Sequence, residues 1–153
     1  MTQAASRRFK VRELEEEDID KGLLKALEHL SDMGGLTSKE ARKIFAKIKK
    51  SNSSHVLVAV VDGGRIAGVT TLLVEQKFIH RGGLVGHIED VAVGQDFEGQ
   101  GVGSALVRAG IGKAKELGCY KVILDCKPEL VGFYERMGFR KHEIAMRIDI
   151  SRA

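Results

Sequence analysis

The alternation of apolar and polar residues along the chain predicts a series of short strands. Apolar and basic residues alternate over 9–12, which indicates a half-buried first strand. The run 56–61 is apolar and mostly β-branched, Asp62-Gly63-Gly64 has the composition of a turn, and 66–74 returns, so we expect a hairpin. Three further strands are predicted at 85–93, 121–126 and 139–150.

Helices are predicted between these strands by capping residues and by apolar spacing. The acidic residues 15–18 favour a helix N-terminus, and leucines then recur at helical spacing until Gly34-Gly35. Thr37-x-x-Glu40 is a capping box for a second helix that ends in lysines. Helices also follow at about 101–117 and after Pro128. The order β-α-α-β-β-β-α-β-α-β predicts the α/β (α+β) class, with a mixed central sheet flanked by helices.

Composition places this fold in one ordinary domain, residues 1–153. The chain has 153 residues, 43% of them hydrophobic and 30% charged, which suits one globular domain rather than a disordered chain. Cys119 and Cys126 have no clustered Cys or His residues near them in the sequence, so we expect free thiols, a reducing compartment and no metal.

Charge and targeting signals predict an intracellular protein whose overall field favours an anionic ligand, and charge alone does not exclude nucleic acid. The net charge is +4 and only 5% of residues are aromatic, which favours an anionic ligand but not a surface for stacking nucleic-acid bases. No run of 18 apolar residues occurs, and the start 1–8 is polar, so we expect a cytoplasmic protein without a membrane segment. The end, Ser151-Arg152-Ala153, distantly resembles a peroxisomal signal, but a frayed tail is the simpler interpretation.

A glycine-rich segment, Glu98-Gly99-Gln100-Gly101-Val102-Gly103, lies between a predicted strand and a predicted helix. Its backbone N–H groups can point at an anion that the helix dipole also favours. It lacks the Gly-Lys-Ser/Thr ending of a P-loop and the third glycine of the dinucleotide motif. Glycine spacing alone therefore leaves two interpretations open, a flexible turn and a pyrophosphate site.

Two motifs resemble those of the GNAT superfamily of N-acetyltransferases. Gly101 and Gly103 match the glycines of the cofactor motif Arg/Gln-x-x-Gly-x-Gly/Ala, and 132–139 resembles the late helix that carries a tyrosine. Within the superfamily, the strings at 75–80, 86–91, 118–126 and 133–135 are similar to the glucosamine 6-phosphate N-acetyltransferases. The resemblance implies the GNAT fold, transfer of acetyl from acetyl-CoA to the amine of glucosamine 6-phosphate for UDP-N-acetylglucosamine synthesis, and an intertwined homodimer.

The resemblance also implies roles for individual residues. The reaction must hold and deprotonate an ammonium and release a thiolate. The implied catalytic residues are Glu89, Asp125 and Tyr134, the last as the acid that protonates the thiolate. The implied substrate residues are Ser31, Gln76, Lys77, Phe78, Ile79, Glu89, Asp90, Tyr120, Lys121 and Asp125. The implied cofactor residues are Val91, Ala92, Val93, Glu98, Gly99, Gln100, Gly101, Val102, Gly103, Ser104 and Tyr134.

Simpler interpretations of these residues stay open from the sequence alone. Glu89 and Asp90 lie among apolar residues of a predicted strand, where a buried carboxylate needs a partner, which could be the substrate or an internal salt bridge. Tyr134 has the helical spacing of a core residue as well as that of an acid. His80, Arg81, Lys77 and Lys121 could surround a phosphate or be solvated cations.

Three positions depart from the family pattern. Glu98 replaces the Arg or Gln of the cofactor motif, and Leu130 replaces an asparagine that commonly contacts CoA. Asp149 stands where some members have a phosphate-binding arginine, so either Lys77, Lys121 and Arg147 compensate or the acceptor differs. Two alternative functions remain: acetylation of another amine, such as a peptide N-terminus, which Asp149 supports, and a non-catalytic binding module, which only the net charge of +4 supports.

Overall fold

The computed structural model describes residues 8–151, so the basic start 1–7 and the last two residues of the peroxisome-like end lie outside the described residues. A five-stranded sheet has the order β1-β2-β3-β4-β5, with three antiparallel pairings followed by a parallel pairing of β4 with β5. The predicted mixed sheet is thereby confirmed. The strands are β1 (Phe9–Glu13), β2 (Ser54–Val61), β3 (Ile66–Gln76), β4 (Leu84–Val93) and β5 (Cys119–Ile123).

The helices follow the predicted order, with one helix divided in two and one unpredicted helical turn between β3 and β4. The helix predicted to run from the acidic residues through the leucines is split at Gly22, whose φ of 109° ends a 3₁₀ helix before α1 begins. The capping box of Thr37 and Glu40 forms at the start of α2 as predicted. The helices are α1 (Leu23–Glu28), α2 (Ser38–Lys50), the single turn α3 (Ile79–Gly82), α4 (Val102–Glu116) and α5 (Val131–Glu135); the 3₁₀ segments are Glu16–Lys21, Gln95–Phe97 and Pro128–Leu130.

Helices cover both faces of the sheet because its central strands carry apolar side chains on both faces. On one face, Val58 and Val69 pack in a core with Leu23 of α1 and Ala41 of α2. On the other face, Ala59 and Ala67 pack with residues of α4. Helix α4 therefore lies on the sheet face opposite α1 and α2.

A buried ion pair anchors the segment that precedes α1. The carboxylate of Asp18 is fully buried and accepts two hydrogen bonds from the Arg12 guanidinium, at 2.7 and 2.9 Å, and one from the backbone N–H of Glu15. Burial opposes ionisation of Asp18, but these donors outweigh it and hold the pKa of this carboxyl below its usual value. The pair fixes the acidic 3₁₀ segment to strand β1.

Contacts divide the chain into two compact units, one ending at Ile123 and one beginning at Leu124. The second unit contains α5, but the strand predicted over 139–150 is absent, because residues 140–151 have no regular secondary structure. A strand needs a neighbour for its backbone N–H and C=O groups, and this segment pairs with no strand of the described chain. Its alternating apolar side chains are exposed: Ile144 (89%), Met146 (93%), Ile148 (86%) and Ile150 (87%).

Candidate active site

Strand β4 carries a bulge at the two residues after Glu89. Its pairing with β3 runs from Thr71 opposite Glu89 to Val69 opposite Ala92, so two residues of β4 oppose Thr70 alone. One of the two, Asp90, has a φ of 51°, which is uncommon for a residue other than glycine. The buried Thr70 hydroxyl donates a hydrogen bond of 3.0 Å to the Glu89 carbonyl oxygen. A bulge leaves backbone groups outside the ladder, where they can bind a ligand.

The two acidic residues of β4 at the bulge differ in exposure, although both were expected to be buried. Glu89 is half-buried, whereas Asp90 is exposed and is not the buried carboxylate that its apolar neighbours predicted. The predicted carboxylate Asp125 is also exposed, since β5 ends at Ile123 and not at Cys126. Exposed carboxylates are available to a solvated ammonium, and they need no internal partner.

The glycine-rich segment forms a loop that ends at the start of α4. Gly99 and Gly101 have φ values of 71° and 80°, and no atom lies within 4 Å of where a Cβ would be at either position. The Gln100 amide closes the loop by donating to the Asp96 carbonyl oxygen at 3.1 Å. The predicted segment therefore divides into an exposed loop, 98–101, and the first turn of α4, 102–104, in which the Val102 side chain is part of the core.

This arrangement makes the loop a candidate anion site. The N–H groups of the first turn of a helix lack partners within the helix, and α4 has 15 residues whose dipoles favour a negative charge there. The Glu98 side chain departs from the family pattern, but it is exposed and can turn into solvent. The pyrophosphate interpretation is thus compatible with the loop, since backbone groups supply the contacts.

Glycines without a predicted role bring α4 close to the strand that bulges. A Cβ on Gly68 would lie 2.8 Å from the Ala92 carbonyl oxygen and 3.0 Å from side-chain atoms of Val102 and Leu106. A Cβ on Gly110 of α4 would lie 2.5 Å from Cδ1 of Ile88. These positions have no distinctive signal in the sequence, because an isolated glycine inside a strand or a helix need not mark a close contact.

Charged groups cluster at the end of the sheet where β3 ends and β4 begins. The Lys77 Nζ lies 2.6 Å from one carboxylate oxygen of Glu75, and the other oxygen of Glu75 lies 2.8 Å from Nε2 of His87. Hydrogen bonds from Lys77 and then His87 hold the pKa of Glu75 below its usual value. Lys77 is a predicted phosphate ligand, whereas its contact with Glu75, and that of Glu75 with His87, are not predictable from the sequence pattern.

Tyr120 lies against the connection between β3 and β4. Its ring centroid is 4.2 Å from that of His80, and a Cβ on Gly83 would be 2.7 Å from the ring. The Lys121 Nζ lies 5.6 Å from the centroid of the same ring. The turn α3 reverses the chain through left-handed φ values of 50° at His80 and 57° at Arg81.

These contacts bring several predicted acceptor residues to one end of the sheet. The Gln76 amide donates to the Lys77 and Gly82 carbonyl oxygens at 3.0 and 2.7 Å, which ties the turn to β3. Phe78 and Ile79 project from the turn and are 103% and 60% exposed. Ser31 is exposed in the turn after α1, where its N–H donates to the Leu27 carbonyl oxygen.

The second unit contains the tyrosine that is the predicted acid. Tyr134 is buried, and its ring meets those of Phe133 and Phe139 edge-on at centroid distances of 4.9 and 5.9 Å. Burial, with a smaller electrostatic contribution from Cys126, raises the pKa of the Tyr134 phenol. The phenol therefore keeps its proton at neutral pH, as a general acid must before it reacts.

The second unit also pairs the two charges near the C-terminus. The Nε of Arg147 donates to Oδ1 of Asp149 at 2.7 Å, and both side chains are exposed. Asp149 thus neutralises the arginine that was one candidate to replace the missing phosphate ligand. Leu130, the other departure in this unit, is 42% exposed after Pro128.

Comparison with known proteins identifies the family of the chain. Residues 22–139 match the family model described as acetyltransferase (GNAT) family. The chain belongs to this family, and it is an acetyl-CoA-dependent acyltransferase. The predicted resemblance and fold are confirmed. Where the structure describes the chain, no helix combines the length and apolar character that a membrane crossing requires.

Individual relatives share more than the family motif. The chain is 40% identical over 140 residues, 90% of its length and 85% of the relative's, to glucosamine 6-phosphate N-acetyltransferase 1 of Oryza sativa subsp. japonica. It is 37% identical to glucosamine 6-phosphate N-acetyltransferase of Trypanosoma brucei brucei, over 93% of this chain and 96% of the relative. The crystal structure of glucosamine-6-phosphate N-acetyltransferase from Arabidopsis thaliana matches with a TM-score of 0.90 and 35% identity, over 94% of this chain and 99% of that chain.

The close contact at Gly68 gives a stability prediction. We expect Gly68→Ala to lower the free energy of unfolding by about 1 to 3 kcal/mol, because the added methyl meets a backbone oxygen that cannot move aside cheaply. Gly112→Ala is the matched control, since no atom lies within 4 Å of its Cβ position on α4. There we expect a gain of about 0.5 to 1 kcal/mol from helix propensity. Urea unfolding measures both, and equal effects of the two variants would contradict the packing argument.

Proposed function

We propose that this enzyme transfers the acetyl group of acetyl-CoA to the amine of glucosamine 6-phosphate. The products are N-acetylglucosamine 6-phosphate, a precursor for UDP-N-acetylglucosamine, and CoA. The observation that carries the proposal is the bulge of β4 beside the start of α4, with cationic side chains at the opposite end of the same strand. The substrate names of the relatives at 37–40% identity support this choice of acceptor.

In this proposal the cofactor lies along the bulged part of β4. Backbone groups of Val91, Ala92 and Val93 hold the pantetheine arm and the acetyl carbonyl. The loop residues Glu98, Gly99, Gln100 and Gly101 and the first-turn residues Val102, Gly103 and Ser104 hold the pyrophosphate. Backbone N–H groups suit this task, because the left-handed glycines leave room for a phosphate to approach.

The acceptor lies at the end of the sheet that carries Tyr120. Lys77 and Lys121 bind the phosphate, since ammonium groups form charge-assisted hydrogen bonds with phosphate oxygens. Gln76, Phe78 and Ile79 line the sugar, and Ser31 contributes a hydroxyl. Among the described residues, no carboxylate forms an ion pair with Lys121, so its charge is available to the phosphate.

The chemical step is direct attack of the amine on the thioester. Glu89, Asp90 and Asp125 hold the ammonium, and Glu89 or Asp125 takes a proton from it, directly or through water. The nitrogen lone pair forms the new N–C bond, the C–S bond breaks, and Tyr134 gives its proton to the departing sulfur. The second proton of the attacking nitrogen then returns to the Tyr134 phenolate, directly or through water, which leaves a neutral amide and a protonated Tyr134. The raised pKa of Tyr134 suits this step, because the phenol is protonated when the thiolate forms.

We further propose that the two units form one domain and that the enzyme is an intertwined homodimer. The matched family region, 22–139, crosses the division between the units. Four exposed apolar residues alternate over 144–150, which is the pattern of a strand whose partner is missing from a single chain. A second copy of the chain provides the strand partner and covers these residues.

Changing this segment tests the homodimer. Sedimentation equilibrium of the wild-type chain should give twice the chain mass, and Met146→Asp combined with Ile148→Asp should weaken association at least about tenfold, because charges are costly in a dry interface. The control is Ile44→Asp, at an exposed apolar residue of α2 (43% exposed). A monomeric wild-type chain at micromolar concentration would contradict the proposal.

Acceptor-dependent release of free thiol tests the reaction itself. With acetyl-CoA, we expect glucosamine 6-phosphate to give a kcat/KM at least about 100-fold above that of glucosamine, because two charge-assisted contacts are lost without the phosphate. Mass spectrometry should find the acetyl group on the sugar nitrogen. Equal use of the two sugars would favour another amine, the interpretation that Asp149 supports. Absence of acetyl-CoA binding by calorimetry would favour the binding module.

Tyr134→Phe tests the general acid. We expect kcat to fall about 100-fold, within the range that general acids contribute, while the Kd for CoA changes less than about twofold. The substitution keeps the aromatic ring that packs against Phe133 and Phe139, so the fold should be retained. A turnover number equal to that of the wild type would remove Tyr134 from the proton transfer.

A further inference from the structure

The proposed phosphate ligand Lys77 is held in a chain of three charged side chains. Its ammonium lies 2.6 Å from one oxygen of Glu75, and the other oxygen of Glu75 lies 2.8 Å from Nε2 of His87. All three side chains are partly exposed, at 33% for Lys77, 42% for Glu75 and 22% for His87. A dianionic phosphate near Lys77 therefore meets the sum of these charges rather than a lone ammonium.

We propose that His87 controls, through Glu75, how strongly Lys77 attracts the phosphate of the acceptor. This inference rests on the proposed function. With His87 neutral, the charges of Lys77 and Glu75 cancel. With His87 protonated, the three side chains carry a net charge of +1, and Glu75 divides its hydrogen bonds between two cations. His87 is thus a positioning and specificity residue, which acts on the substrate through its neighbours.

His87 combines a side chain that can change its charge with a direct hydrogen bond to Glu75. Histidine is the side chain whose ordinary titration falls between about pH 5 and 8. In either protonation state the Nε2–H of His87 can donate to Glu75, so the contact persists while the charge changes. The expected effect on phosphate binding is therefore electrostatic and depends on pH. A structural defect would weaken binding equally at every pH.

Other charged groups share the sheet face of His87 or lie on the helix that packs on that face. Strand pairing puts Glu75 and Lys121 opposite Val85, on the sheet face that also carries His87 and Glu89. This face therefore carries the cation Lys121 and the carboxylates Glu75 and Glu89 around His87. On α1, which packs on this side of the sheet, Lys25 and Glu28 are exposed and of opposite charge. Glu75 is in direct contact with His87, so a change in the charge of His87 acts first on Glu75 and, through it, on Lys77.

The distance sets the size of the expected effect. One unit charge placed about 6 to 8 Å from a dianion in solvent-exposed surroundings changes binding about three- to tenfold at physiological salt. The phosphate of the acceptor also titrates, near pH 6. A comparison of variant and wild type at each pH removes that contribution, because both enzymes meet the same substrate.

His87→Gln tests the inference, because the glutamine amide can still donate to Glu75 but never carries a charge. We expect the KM for glucosamine 6-phosphate to rise about three- to tenfold over wild type at pH 6 and to match it within about 1.5-fold at pH 8, with kcat and the KM for acetyl-CoA retained. His87→Lys, which keeps a positive charge, should instead lower this KM at pH 8. Thermal unfolding of each variant confirms that it is folded.

His55→Gln is the matched control. His55 forms a similar pair with Glu13, at 3.6 Å, between β2 and β1 at the other side of the sheet. This variant should leave the KM for the sugar phosphate unchanged at both pH values. A KM ratio for His87→Gln that is the same at pH 6 and pH 8 would overturn the inference. Failure of the wild-type enzyme to acetylate glucosamine 6-phosphate would instead overturn the proposed function.

Discussion

The close approach of helix α4 to strands β3 and β4 is the constraint on which the rest of the site depends. Gly68 and Gly110 remove the side chains that would hold the helix away, and Gly86 allows Ala114 within 3.3 Å of its Cβ position. The helix start is consequently fixed next to the part of β4 that bulges. The proposed pyrophosphate loop is therefore held beside the bulged backbone that is proposed to bind the acyl group.

Pairing of opposite charges determines which cations remain for an anionic acceptor. Arg147 is neutralised by Asp149, and Lys77 shares Glu75 with His87. The net charge of +4 therefore does not indicate where on the chain an anion would bind. Local pairs decide the field that a phosphate meets, because interactions between exposed charges are screened within about 8 Å at physiological salt.

Local sequence signals were sufficient for most of the fold. The hairpin, the capping box at Thr37 and the loop before α4 are each determined by neighbouring residues, and all three are present. The strand predicted over 139–150 is absent for a different reason. Apolar alternation specifies which side chains need cover, but a strand forms only where another strand accepts its hydrogen bonds.

The candidate site was less predictable than the fold, because its main features come from contacts between distant residues. The bulge that exposes Asp90 depends on the register between two strands, which the pattern of either strand alone does not specify. Likewise, Glu75 and His87 are twelve positions apart and meet only through the pairing of β3 with β4. The family resemblance implies a phosphate-binding role for Lys77 but does not indicate its ion pair with Glu75.

The most direct test of this account is a crystal structure of the enzyme with CoA and glucosamine 6-phosphate bound together. The account predicts the CoA pyrophosphate on the backbone N–H groups of residues 99–103, and the sugar phosphate within about 3 Å of Nζ of Lys77 and Lys121. A sugar phosphate held by Arg147, or a pyrophosphate away from the start of α4, would contradict it.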